Sequence, residues 1–256
     1  MLDLSDKDES LAKLFLAASS HQWHLLPELG RACYEYGCTV AHIRGCVRHV
    51  VVVAGYAPAL AATKHLASAQ LLPEEVPGKC GGPPGNAFEL VYAKVTDAVR
   101  RAVRKVDPVL ADWIRTHLYG DVYSSPGLEM RQKQLLMCAF LGQANMPDEL
   151  FGHALAAMRF GATPAACKQA MKLGFAGSMQ RLSSAAQEDM RCVQQHAHEQ
   201  MQKAIDKYDS KYAGERPHDS HLTIPDPASI CLPPLPPRYL TPQLSRHGSS
   251  SASGKS

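Results

Sequence analysis

The sequence predicts an all-α fold: two tandem helical repeats packed as one bundle, followed by a Pro-rich C-terminal tail. Three observations predict it. Apolar residues recur at helical spacing through most of residues 8–208. Within that span, 134–177 reads as helix, tight break, helix, centred on Glu149-Leu-Phe-Gly-His153 and ending its middle helix at Gly161. Gly161 suits the left-handed conformation that closes a helix, Thr163 caps the next, and Pro164 fits its first turn. The third observation is an early copy. Aligning Gly37 with Gly161 (161 − 37 = 124) pairs Tyr36 with Phe160, Thr39 with Thr163 and residues 11–18 with the apolar helix 135–142. Gly55 then meets Gly177 after a two-residue slip.

Taken in order, residues 8–20 and 27–37 read as helices, and Thr39 caps a third over about 40–54. Val50 to Val53 favour a strand in isolation. A β-branched run costs a helix only roughly a few tenths of a kcal/mol per residue, so the repeat register sets helix here. Pro58 starts a helix through Gln70, which completes a first repeat at 8–72. Residues 73–86, rich in Pro and Gly, are a linker by composition. Residues 88–105 form an amphipathic helix ending in Arg100, Arg101, Arg104 and Lys105, a basic stripe that suits a solvated last turn or an acidic partner surface. Asp107-Pro108 opens the next helix, which carries Leu110, Trp113, Ile114 and Leu118. A long helix follows over 178–208, so the second repeat with its lead-in and C-terminal helices spans 87–208. Beyond Tyr212 periodicity stops. Residues 213–256 read as an extended or disordered Pro/Ser-rich tail, in which Pro233-x-x-Pro236-x-Arg238 fits the spacing read by polyproline-binding grooves.

Composition narrows the function. With 45% apolar residues the chain can bury a core, and a net charge of +3 gives no reason to expect nucleic acid. The eight cysteines show no Cys-x-x-Cys, which suggests free thiols in a reducing, intracellular compartment, cytoplasmic or mitochondrial. The N-terminus is acidic and lacks the apolar core of a secretory signal. The longest apolar stretch, 50–62, is interrupted by Gly55, Tyr56 and Pro58 and is too short for a membrane span.

The second repeat, with its lead-in Leu118-Tyr-Gly120-Asp-Val-Tyr-Ser-Ser-Pro-Gly127-Leu128-Glu129, resembles the carboxymuconolactone decarboxylase family, which shares its fold with the alkylhydroperoxidase D proteins. The likeness covers about 110–190, and more weakly 8–70. It implies two helical repeats, oligomerisation, and a functional histidine at His153. The departures matter as much. In the peroxidase branch the cysteines would stand at Met146 and Glu149 and a glutamate at Gln134; all three are absent. A thiol peroxidase needs a reactive thiolate with a resolving thiol beside it, so that activity is not expected. Where the decarboxylase branch usually has Arg-Glu, this chain has Lys133-Gln134. Gln134 cannot take a proton, which leaves His153 without its expected helper. Its counterpart in the first repeat is Leu29.

The candidate catalytic residues are therefore His153, as acid/base, Glu149, one turn earlier as a replacement carboxylate, and Lys133. Lys133, Arg131 or Arg159 would bind a substrate carboxylate. Each has a plainer reading, in packing or on a solvated surface. His21 with His24, His42 with His49, and His196 with His198 lack a third ligand at zinc-like spacing, so no metal is expected. No cofactor is expected either, since phosphate loops and dinucleotide fingerprints are absent. Cys33 and Cys38 bracket a helix end as buried thiols. Two function classes remain. One is a degenerate family member kept as a structural or accessory subunit, as a homo-oligomer or in a larger complex reached through 213–256. The other is a His153-dependent decarboxylase or lyase acting on a small carboxylic acid or lactone.

Overall fold

The computed structural model describes residues 4–73, 86–179, 184–212 and 214, and those residues are all-helical, with no strand among them. The linker and tail readings fall on 74–85 and 215–256 and lie outside the described residues. Among the described residues no helix is long and apolar enough to cross a membrane.

The first half is α1 (Asp6–Ser19), a 3-10 turn (Trp23–Leu25), α2 (Leu26–Glu35), α3 (Val40–His49), α4 (Val51–Ala54) and α5 (Tyr56–Ser68). The valine run stays helical, as expected, but the helix breaks at Val50 and again at Gly55, whose φ of 84° ends α4. The lead-in comprises α6 (Asn86–Tyr92), a 3-10 turn (Ala93–Val95), α7 (Thr96–Val106), α8 (Pro108–Trp113) and a π-helix (Ile114–Val122). One amphipathic helix was expected over 88–105, but Ala93 at φ 45° divides it. Asp107 caps α8, accepting from the backbone N–H of Val109 at 2.8 Å and of Leu110 at 2.9 Å. The second half is α9 (Met130–Ala144), α10 (Pro147–Arg159), α11 (Pro164–Met179) and α12 (Ser184–Lys211).

The helix breaks at Gly37 and Gly161 are built alike. Gly37 (φ 80°) and Gly161 (φ 92°) both take the left-handed conformation. Cys38 N–H donates to the Cys33 carbonyl at 2.8 Å and Gly37 N–H to Tyr34 at 3.0 Å. Ala162 to Ala157 at 2.9 Å and Gly161 to Met158 at 3.0 Å repeat the pattern 124 residues later. These are the paired bonds of a Schellman motif. Thr39 then caps α3 and Thr163 caps α11 through their hydroxyls.

The halves share one core, with Leu11, Phe15 and Ile43 in the same cluster as Leu135, Cys138 and Met171. Contacts between them exchange under the same offset. Leu4 N–H reaches Gln169 Oε1 at 3.1 Å, while Gly45, 124 residues before Gln169, lies against Leu128, 124 after Leu4. Asp8 accepts from its own counterpart, Gln132 Nε2, at 2.9 Å. It also accepts from both terminal nitrogens of Arg131, at 2.8 and 3.3 Å. Burial alone would raise the Asp8 pKa, but Arg131, Gln132 and Ser5 hold it below the ordinary value. Asp8→Asn should cost about 2 kcal/mol, since it weakens the charge-assisted pairing with half-buried Arg131 and leaves that cation only the more distant Glu129 carboxylate, at 3.7 Å. The cost should shrink as pH falls through the folded Asp8 pKa, because that stability is present only while the carboxylate is ionised. Urea unfolding of both proteins at pH 7 checks the size of the loss.

Candidate functional site

His153 faces inward from α10 toward α9, where its Nδ1 lies 2.8 Å from Gln134 Oε1. An amide oxygen only accepts, so Nδ1 carries the proton and Nε2 keeps its lone pair. Burial lowers the His153 pKa to about 4, so the ring is neutral at pH 7. Among the described residues Nε2 has no hydrogen-bond partner, and it is not one of the polar atoms sealed from solvent. Gln134 is still not the acid/base helper that the resemblance implies. It does for tautomer and orientation what a carboxylate would do, but it adds no negative charge and takes no proton.

Lys133, the neighbour of Gln134, is wholly buried. Its ammonium donates to the carbonyl oxygens of Tyr123 and of Ser125, the latter at 2.8 Å, and so ties the end of the π-helix to α9. Burial lowers its pKa to about 7. The other two candidates for a substrate carboxylate are also engaged. Arg131 holds Asp8, and Arg159 donates to the carbonyls of Leu90 at 3.3 Å and Val91 at 2.9 Å. Glu149 is exposed on the first turn of α10 and makes no hydrogen bond to His153. Its neighbour Asp148 takes a histidine instead, His196 of α12, at 2.7 Å.

The residue that sequence reading placed elsewhere is His49. It comes from α3 of the first half, is 0% exposed, and neither ring nitrogen has a hydrogen-bond partner. The Tyr123 ring meets it edge-on at 4.9 Å and Phe15 lies at 5.7 Å. Burial, with the Lys133 and His153 charges adding to it, holds the His49 pKa well below its ordinary value. The Tyr123 hydroxyl is sealed in the same cluster without a hydrogen bond, and burial raises its pKa. The signal for His49 was its phase, since Ile43, Cys46, Val47 and Val50 around it all turn inward. Its sequence neighbour His42 goes elsewhere, to the N-terminus of the same helix, with 2.6 Å between its Nδ1 and Thr39 Oγ1. Among the described residues no group of His, Cys, Asp or Glu could hold a metal ion.

The fold and these side chains define a helical-bundle protein with a neutral, amide-paired histidine between α9 and α10 of its second half. No model of a known protein family matches the chain, and no curated protein matches it either.

Proposed function

We propose that the chain is a carboxymuconolactone decarboxylase-like protein with two tandem repeats and a degenerate site, serving as a structural or accessory subunit of an oligomer or larger assembly. The observation that carries this reading is the His153–Gln134 pair. An acid/base histidine works best with a pKa near the operating pH and a partner that stabilises its imidazolium. Here the partner is neutral and burial holds the ring neutral. The duplication is supported by the matching caps at Gly37 and Gly161 and by the contacts that exchange at an offset of 124 residues.

Assembly draws support from the corner between α7 and α8. Val106 and Trp113 are 85% and 64% exposed there, and Val109 and Leu110 are exposed beside them. Exposed apolar groups grouped with Trp and Arg have the composition of an interface centre. The test is native mass determination of the protein isolated from its own cells, with crosslinking of the corner and of 213–256. Stoichiometric subunits crosslinked at either place support the reading, and Trp113→Glu should then weaken the assembly at least about tenfold. A monomer without partners overturns it.

A second reading rests on the unblocked Nε2 of His153, which can accept a proton or a ligand N–H or O–H. In that reading the protein is a lyase or binder for a small carboxylic acid or lactone. Turnover of small carboxylactones by wild type, lost in His153→Ala, would favour it over the scaffold.

A further inference from the structure

We infer that Cys33 and Cys38 form a two-electron redox site, a dithiol that a hydroperoxide converts to an intramolecular disulfide. The geometry comes from the end of α2. In a Schellman motif the third residue from the helix end and the second residue beyond it are joined by a backbone hydrogen bond and bring their side chains together. Cys33 and Cys38 hold those two positions, joined by the 2.8 Å bond from Cys38 N–H to the Cys33 carbonyl. At the equivalent break the same two positions hold Ala157 and Ala162. That turn needs only small side chains there, so its closure does not account for the thiols. A backbone pinned by one such bond brings the two Cα atoms within the roughly 4.4–6.8 Å that a disulfide spans.

The surroundings distinguish the two sulfurs. Cys38 keeps an open edge, 5% exposed, whereas Cys33 is fully enclosed. Ser10 Oγ, which donates to the Lys7 carbonyl at 2.8 Å, stands 3.7 Å from Cys38 Sγ, and the Cys38 thiol faces the same carbonyl at 3.9 Å. Its neighbour Cys33, then Ser10 and the Lys7 charge, favour the Cys38 thiolate and outweigh burial, whereas Cys33 is held as the thiol. The third thiol of the cluster, Cys46, is fully buried and donates to the Leu11 carbonyl at 3.5 Å. Cys38 is thus the attacking sulfur and Cys33 the resolving one.

The chemistry balances in two steps. Cys38 sulfur attacks the outer oxygen of the hydroperoxide and the O–O bond breaks. The leaving alkoxide departs as alcohol with the proton from Cys38, and a sulfenic acid remains. Cys33 sulfur then attacks Cys38 sulfur, the S–OH bond breaks, and hydroxide leaves as water with the Cys33 proton. Two thiols lose two electrons and two protons, and the peroxide takes them.

The test uses the full chain, reduced, freed of reductant, and treated with stoichiometric hydrogen peroxide. Remaining thiols are alkylated under denaturing conditions before trypsin digestion. Cys33 and Cys38 fall in one peptide, 32–44, and Cys46 in the next, 45–48. The expected result is a 32–44 peptide lighter by two hydrogens and carrying no alkyl group. Cys33→Ala should stop at a sulfenic acid on Cys38 that dimedone traps, and Cys38→Ala should leave Cys33 reduced. A 32–44 peptide alkylated twice while exposed Cys192 is oxidised overturns the proposal. A crosslink joining 32–44 to 45–48 overturns it as well. The wild-type map decides even where a variant fails to fold.

Discussion

Gly174→Ala is expected to lower the stability of the bundle by about 3 kcal/mol, a melting-point drop of roughly 6–12 °C for a domain of this size. A methyl carbon at Gly174 would sit 1.9 Å from the Ala139 carbonyl oxygen and 2.6 Å from the Gln143 backbone nitrogen. Those atoms belong to α9, so no side-chain rotation relieves the clash and the two helices must separate. Gly142 answers from the other side, since a Cβ there would stand 2.4 Å from the Met171 carbonyl oxygen. The two glycines let α9 and α11 cross with backbones in contact, which fixes α9 and with it Lys133 and Gln134. Gly152 provides the control. It lies on the exposed side of α10 with nothing within 4 Å of an added methyl, so Gly152→Ala should stabilise by about 1 kcal/mol through helix propensity. Thermal melts of the two variants should therefore move in opposite directions. Equal shifts would mean that the α9–α11 crossing has slack that the distances do not show.

That crossing marks where sequence reading stops. The helices were legible because their signals are local: Thr39 and Thr163 cap, Gly37 and Gly161 turn left-handed, and Asp107 with Pro108 starts α8. The division at Ala93 was not legible, because an alanine at φ 45° carries no sequence signal and tertiary packing imposes it. The π-helix over Ile114–Val122 was missed for a related reason. It places the Tyr123 and Ser125 carbonyls where the Lys133 ammonium can reach them, a long-range requirement that periodicity does not encode.

At the candidate site, the family resemblance drew attention to His153 and Lys133 and helical spacing to Glu149, and geometry gives them different fates. His153 and Gln134 pair, Lys133 turns to backbone carbonyls, and Glu149 stays at the surface. Glu149 shares a flank with His153 at i, i+4, but its carboxylate stays in solvent while the imidazole turns to the Gln134 amide of α9. His49 was hidden because its approach depends on how the two halves dock. Docking is fixed by contacts such as Asp8 with Arg131 and Gly45 with Leu128, more than 80 residues apart in sequence.

Those buried histidines should make the protein acid-labile. His42 and His153 have pKa values lowered to about 4 by burial, and His49 lies well below the ordinary value of 6.5. In the unfolded chain all three return to about 6.5. Between pH 4 and 6.5 the unfolded state therefore binds up to three more protons than the native state, and stability falls as pH falls. Each such proton contributes about 1.4 kcal/mol per pH unit, so the slope should approach about 4 kcal/mol per unit below about pH 6. Above pH 7 the three histidines are neutral in both states and contribute no slope. His49→Leu isolates one of them. At pH 7 it removes two unpartnered ring nitrogens from an apolar enclosure of Phe15 and Tyr123, for an expected gain of about 1 kcal/mol. At pH 5.5 the gain should roughly double, because the unfolded variant can no longer take up that proton. His153→Leu should behave differently. It also removes a titrating group, but it strands the Gln134 amide oxygen, so it should lose about 1 kcal/mol at pH 7 and recover all of that by pH 5.5. Urea unfolding of the three proteins at pH 7.0, 6.0 and 5.5, arbitrary points chosen to straddle the ordinary histidine value of about 6.5, separates the cases. Parallel curves for wild type and His49→Leu would show that His49 takes up its proton in the folded state, and hence that water or a polar partner reaches the centre of the bundle.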